Sequence, residues 1–260
     1  MSTQTTIERR IPRLGGFSST FLRLELRRML RNRRTMIFTL VMPVAFFLLF
    51  GTDSAYRSES AGSGNVTAWI MVSMAVYGAM IATTSAGAMV SVERAAGWSR
   101  QLRLTPLNPV AYVAVKVVVA MSLGLASIVV VGAIGLFAGA DLPIVDLVAC
   151  GLLAWVCSLV FAAFGLFMGY LLPSENVMQI LGPALALMSF AGGLFLPVSE
   201  MGDTFATIAK LTPVYGVGEI ARWPLDPGGS FAVAAVNVAV WTAVFVAGAA
   251  WRFRRDTARV

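Results

Sequence analysis

The sequence predicts an all-α, polytopic membrane protein with six transmembrane helices. Three observations lead there. Hydrophobic residues make up 58% of the chain and charged residues 13%, with a mean hydropathy of +0.78, outside the range of soluble domains. Six apolar runs approach the roughly 20 residues that cross a hydrocarbon core as a helix. Arginine and lysine gather in alternate connecting segments, as the positive-inside rule requires.

The runs are Thr35 to Gly51, Val66 to Val90, Val110 to Phe137, Ile144 to Leu172, Asn176 to Leu196 and Phe231 to Trp251. The first is short and carries Pro43 near its middle. A proline is tolerated in a membrane helix when neighbouring groups satisfy the freed carbonyl, so a kink is expected there. Before the first run lie Arg9, Arg10, Arg13, Arg23, Arg27, Arg28, Arg31, Arg33 and Arg34; Arg94, Arg100 and Arg103 lie between runs two and three, and Arg252, Arg254, Arg255 and Arg259 in the tail. The other side has only Arg57, Lys210 and Arg222 against Asp53, Glu59, Glu200, Asp203, Glu219 and Asp226. This asymmetry puts both termini in the cytoplasm. The chain divides into a basic cytoplasmic N-terminus (1–34) with an amphipathic helix, a six-helix transmembrane domain (35–251) and a basic cytoplasmic tail (252–260).

The net charge of +7 and pI near 10.1 would suggest nucleic acid in a soluble protein. Here the charges flank membrane spans, and no nucleic-acid partner is expected. Cys150 and Cys157 share a helical face at roughly 10 Å, too far for a disulfide, and read as buried thiols. The absence of histidine removes the commonest metal ligand and general base. The Arg-rich N-terminus does not read as a cleavable signal peptide.

Three segments are not spans. In Phe17 to Leu30, Phe21 and Leu24 lie on an apolar stripe, while Arg23, Arg27 and Arg28 cluster opposite. That pattern suits a helix in the cytoplasmic headgroup plane reaching anionic lipid phosphates, or arginines that only set topology. Ser91 to Asn108 is too polar for the bilayer. Trp98, Leu102 and Leu104 give it an apolar side between Glu93, Arg94, Arg100 and Arg103, and Thr105–Pro106 stops it. A compact cytoplasmic helix there could pass a push from a soluble partner; a plain connector is the blander reading. Leu196 to Ser230, broken by Pro197, Pro213, Pro224 and Pro227, reads as short re-entrant helices dipping into the outer leaflet, or as an outer loop.

The order of these features resembles the ABC-2 family of ABC transporter permeases. It includes a basic interfacial helix, a short proline-bearing first span, E-R-x-x-G-W-x-x-x-L-x-x-T-P from Glu93 to Pro106, G-x-x-x-P from Gly193 to Pro197, and Thr212, Pro213, Tyr215 and Glu219 in one run. Trp98 and Thr212 depart mildly from the family, which more often has Thr and Asn at these places. The resemblance implies a dimeric permease, built with a second copy or a homologue, and separate cytoplasmic ATPase subunits that hold ATP and magnesium. By the same likeness Glu93, Arg94, Gly97, Trp98, Arg100, Leu102 and Arg103 form a coupling helix, and Phe17 to Arg31 a connecting helix. Family substrates include antibiotics, lipids and polysaccharides.

The chain has no G-x-x-x-x-G-K-[ST] run, and its only lysines are Lys116 and Lys210, so it is expected to hold no nucleotide, cofactor or metal itself. Lys116 is expected to snorkel from a helix end, Asp146 to lie near the outer start of span four, and Glu175 at a cytoplasmic turn. Scarce intramembrane charge argues against a proton- or sodium-coupled secondary carrier; a non-transporting signalling scaffold stays open. Ser73, Tyr77, Thr83, Asn176, Gln179, Gly192 and Gly193 either line a substrate path or dimer interface, or only pack helices. The G-x-x-x-G pairs Gly135/Gly139 and Gly165/Gly169 carry the same ambiguity. The expected activity is export of a hydrophobic or amphiphilic antibiotic, drug or lipid across a bacterial cytoplasmic membrane.

Overall fold

The computed structural model of the chain describes residues 18–97 and 108–258. Its helices are α1 (Ser19–Arg31), α2 (Arg33–Met36), a π-helical turn (Ile37–Val41), α3 (Met42–Phe50), α4 (Ser54–Ser58), α5 (Val66–Ala88), α6 (Val90–Ala95), α7 (Pro109–Phe137), α8 (Ile144–Cys157), α9 (Leu159–Leu171), α10 (Val177–Ala191), α11 (Asp203–Leu211), α12 (Pro213–Arg222) and α13 (Phe231–Ala258). A two-residue antiparallel hairpin, β1 (Ser60–Ala61) and β2 (Gly64–Asn65), precedes α5. Four helical stretches are long and apolar enough to cross a membrane: Val66–Ala95, Val110–Phe137, Ile144–Leu171 and Phe231–Arg255. Ile37–Phe50 and Val177–Ala191 are shorter apolar helices.

The most apolar stretch of α5–α6 is 78% buried and that of α13 only 17%, so α5 is the axis of the bundle and α13 lies at its edge. α5 packs against α3, α7, α8, α9, α10 and α12. A helix with protein on every side needs no polar face, which is why its sequence is apolar all round. Between membrane helices the driving force is close packing, favoured by small residues. Gly165 on α9 supplies it, since a Cβ there would strike the backbone of Thr84 on α5. Gly169 meets the backbone of Gly87 and Ala88 in the same way. This G-x-x-x-G pair is thus a helix contact within one chain.

The first apolar run is helical across Pro43, in three joined pieces. Pro43 has no N–H for the carbonyl of Thr39, four residues back. Ser127 Oγ on α7 donates to that carbonyl at 2.9 Å, and the π turn absorbs the spacing just before the proline. Span four is interrupted at Ser158, whose Oγ donates to the Trp155 carbonyl at 2.6 Å. The helix of the fifth apolar run is shorter than the predicted Asn176 to Leu196 because its glycines cap it. Gly193 takes φ +79°, its N–H bonds Phe190 O, and Leu194 N–H bonds Ser189 O, the Schellman pattern that ends a helix.

Between α10 and α13 the chain forms two short helices whose junction is held by α13. Asn237 Nδ2 donates to the carbonyls of Lys210 at 2.8 Å and Thr212 at 3.0 Å. Trp241 Nε1 donates to Leu211 O at 3.0 Å. Counted from Phe231 at 1.5 Å per residue, Asn237 and Trp241 lie about 9 and 15 Å along α13. Backbone carbonyls at a helix junction are thereby satisfied far from the helix end. Thr212 caps α12, accepting from Tyr215 N–H at 3.3 Å, with Pro213 in the first turn.

Candidate functional site

At the C-terminal end of α5 the helix continues almost unbroken into α6 and stops at Gly97, whose φ is +72°. Glu93 and Arg94 therefore belong to the end of this long helix. Trp98, Arg100, Leu102 and Arg103 lie outside the described residues. Glu93, expected on a partner-facing surface, is 4% exposed and points inward. Its carboxylate accepts from Lys116 Nζ and Tyr112 OH on α7 and, at 2.9 Å, from Arg28 Nη1 on α1. Glu25 of α1, 5% exposed, accepts from Lys116 Nζ at 2.6 Å and from Arg28 Nη1 at 3.4 Å. Two carboxylates thus meet two cations, so the cluster is formally neutral, as burial demands. Arg94 donates to the carbonyls of Gly169 at 3.2 Å and Tyr170 at 2.9 Å, tying the same turn to the end of α9.

Lys116 corrects the sequence-based expectation. It does not snorkel; it is 3% exposed, because α1 lies across the start of α7 and brings Glu25 to it. On α1, Glu25 and Met29 face the protein, whereas Arg23, Arg27 and Leu24 are exposed and Phe21 is half-buried. The arginines form an outward stripe, and Leu24 beside them is 59% exposed.

A second cluster sits at the opposite end of α5. Arg222, expected in an outer loop, is 3% exposed. Its Nη1 donates to Ser73 Oγ of α5 at 3.0 Å and to the Gly193 carbonyl at 3.3 Å. Nη2 pairs with Glu219 at 2.8 Å, and the guanidinium lies 4.5 Å from the centre of the Trp69 ring. One turn below Ser73, Tyr77 packs edge-on to Phe195 and beside Phe46.

Of the residues considered for a path or dimer interface, Ser73, Tyr77 and Thr83 are buried within this chain. Thr83 Oγ1 spends its hydrogen bond on Ala79 O at 2.8 Å. Gly192 and Gly193 are buried in the cap of α10, and Asn176 and Gln179 are exposed at its start. Both polar clusters, that of Glu25, Tyr112 and Lys116 at one end of α5 and that of Arg222 at the other, were missed from sequence alone. Among the described residues no group of three or more His, Cys, Asp or Glu side chains is placed to hold a metal ion.

Four apolar membrane-length helical stretches, one of them the buried axis, define an α-helical multi-pass membrane protein, and buried ion pairs lie near the two ends of that axis. Residues 19–225 match the ABC-2 type transporter family, and the chain belongs to it. Among curated proteins it is 27% identical over 215 residues to the Bacillus subtilis (strain 168) protein named "Putative transport permease YvfS", covering 79% of this chain and 84% of that protein. The chain is a transport permease, a transport subunit rather than an enzyme.

Proposed function

We propose that this chain is the transmembrane subunit of an exporter powered by a separate ATPase, working as a pair with a second copy or a homologue. It moves a hydrophobic or amphiphilic compound, an antibiotic, drug or lipid, out across the bacterial cytoplasmic membrane. Both termini lie in the cytoplasm, and the two shorter apolar helices complete six crossings. The Arg23–Arg27 stripe meets anionic lipid at the inner surface. α11 and α12 form a hairpin entering the outer leaflet, a reading supported by the Asn237 and Trp241 bonds to its turn.

One observation carries this reading. The last turn before residues 98–106 is bonded to α1, α7 and α9 at once, so a force applied to that segment reaches three other elements. ATP and magnesium belong to the partner, docked against Trp98, Leu102 and the neighbouring arginines. Changing Trp98 and Leu102 to Asp should abolish co-purification of the chain with its ATPase and leave the chain folded. Retained binding would refute the assignment.

The buried Glu25–Lys116–Glu93 cluster raises proton coupling as a competitor. Transport that survives ATP depletion and stops when the proton gradient collapses selects that alternative.

A further inference from the structure

We propose that Lys116 is a positioning residue that pins α1, the end of α6 and the start of α7 into one rigid body at the face that receives the partner's push. The inference rests on the ATP-driven reading and deepens it. All four carboxylate oxygens are engaged: Glu25 Oε1 by Arg28, Glu25 Oε2 by Lys116, Glu93 Oε1 by Lys116 and Arg28, and Glu93 Oε2 by Tyr112. No element can slide without breaking a charge-assisted bond away from water, where such bonds are strongest.

The two cations are not equivalent. The Arg28 side chain is 42% exposed, so water screens it and substitutes for its bonds as it moves. Lys116 is 3% exposed and reaches Glu25 and Glu93 from a third element. Its removal leaves two buried carboxylates facing one another with a single, half-solvated cation between them. The joint between α1 and α6 then loosens, although each helix keeps its own backbone bonds.

The test uses the full chain assembled with its ATPase, in a background carrying Cys150→Ala and Cys157→Ala. Spin labels are placed at Leu24→Cys on α1 and Val129→Cys on α7, both exposed positions. With Lys116 present, the distance between them is single and narrow, and it is the same without nucleotide and with ATP bound. Lys116→Met broadens the distribution and makes it shift on ATP binding, while co-purification with the ATPase stays at the level of the parent protein. Lys116→Arg keeps the narrow distance. A stability defect alone would not make the distance depend on nucleotide. Unchanged distances in Lys116→Met overturn the inference. If that variant does not fold, Glu25→Gln with Glu93→Gln and Lys116→Met, which strands no buried charge, decides: a distance that broadens and shifts on ATP binding supports the pin, and a narrow, unchanging one overturns it. A parent chain that binds no ATPase fails the function reading instead, which the co-purification arm shows separately.

Discussion

Arg222→Met removes the guanidinium held near the N-terminal end of the axis and keeps most of the side chain's apolar bulk. Three hydrogen bonds disappear, to Ser73 Oγ, the Gly193 carbonyl and Glu219. Breaking one side of a buried ion pair costs about 3–5 kcal/mol, because the partner's charge is left unpaired. The Glu219 side chain is 21% exposed and can turn towards water, which brings the expected loss to about 2–4 kcal/mol. At roughly 2–4 °C per kcal/mol for a chain of this size, Tm falls by about 4–16 °C. The assay is thermal unfolding of the purified protein in one detergent, followed by tryptophan fluorescence. The stranded charge is the main cost, so adding Glu219→Gln to Arg222→Met should recover about half of the loss. The reasoning is refuted if Arg222→Met melts with the parent protein, or if the double variant loses the sum of the two single losses.

Gly165→Ala forces a methyl group onto the backbone of Thr84 and should cost about 1–3 kcal/mol in the same unfolding assay. Gly132→Ala, where a Cβ meets nothing within 4 Å, should be neutral or slightly stabilising. Ser127→Ala orphans the Thr39 carbonyl at a cost of about 1–3 kcal/mol. In a Pro43→Ala background the restored N–H takes that carbonyl, so the Ser127→Ala loss should shrink; an equal loss in both backgrounds would show that Ser127 does not serve the proline.

Hydropathy and arginine placement made the membrane class legible, because burial in lipid acts on whole runs of residues. The need for a partner at Pro43 was legible too, since a missing N–H has a defined consequence four residues back. Its identity was not, because Ser127 stands 88 residues away. The buried charges were hidden for the same reason: Lys116 finds Glu25 at a separation of 91 residues. A faint signal existed. Glu25 falls on the Leu22–Leu26–Met29 face of α1, where a carboxylate breaks an apolar stripe, and Tyr112 and Lys116 share a face four residues apart. Glu219 and Arg222 stand three apart on α12, and counting them as loop charges missed that pairing. The end of α10 was misjudged because apolar residues run on past the Gly192–Gly193 cap, so hydropathy cannot see the stop.

Both polar clusters grip the same helix. From Ser73 to Glu93 the axis runs about 30 Å at 1.5 Å per residue, close to the thickness of the hydrocarbon core. The one residue between α5 and α6, Met89, keeps helical angles. The ladder runs through it, with Met89 N–H on Ser85 O and Glu93 N–H on Met89 O. The rod is thus continuous from the Arg222 clamp to the Lys116 pin, and it is packed on all sides between them. A displacement at one end cannot be absorbed by sliding within the bundle, because the Gly165 and Gly169 contacts are backbone to backbone. It is transmitted along the rod or it breaks a clamp. Helices with exposed faces have more freedom to move, among them α3, α10 and α13, which bear Leu49, Leu187 and Val236 on the outside. An opening that uses these helices leaves the axis intact, whereas one that bends the axis must first give up a buried ion pair.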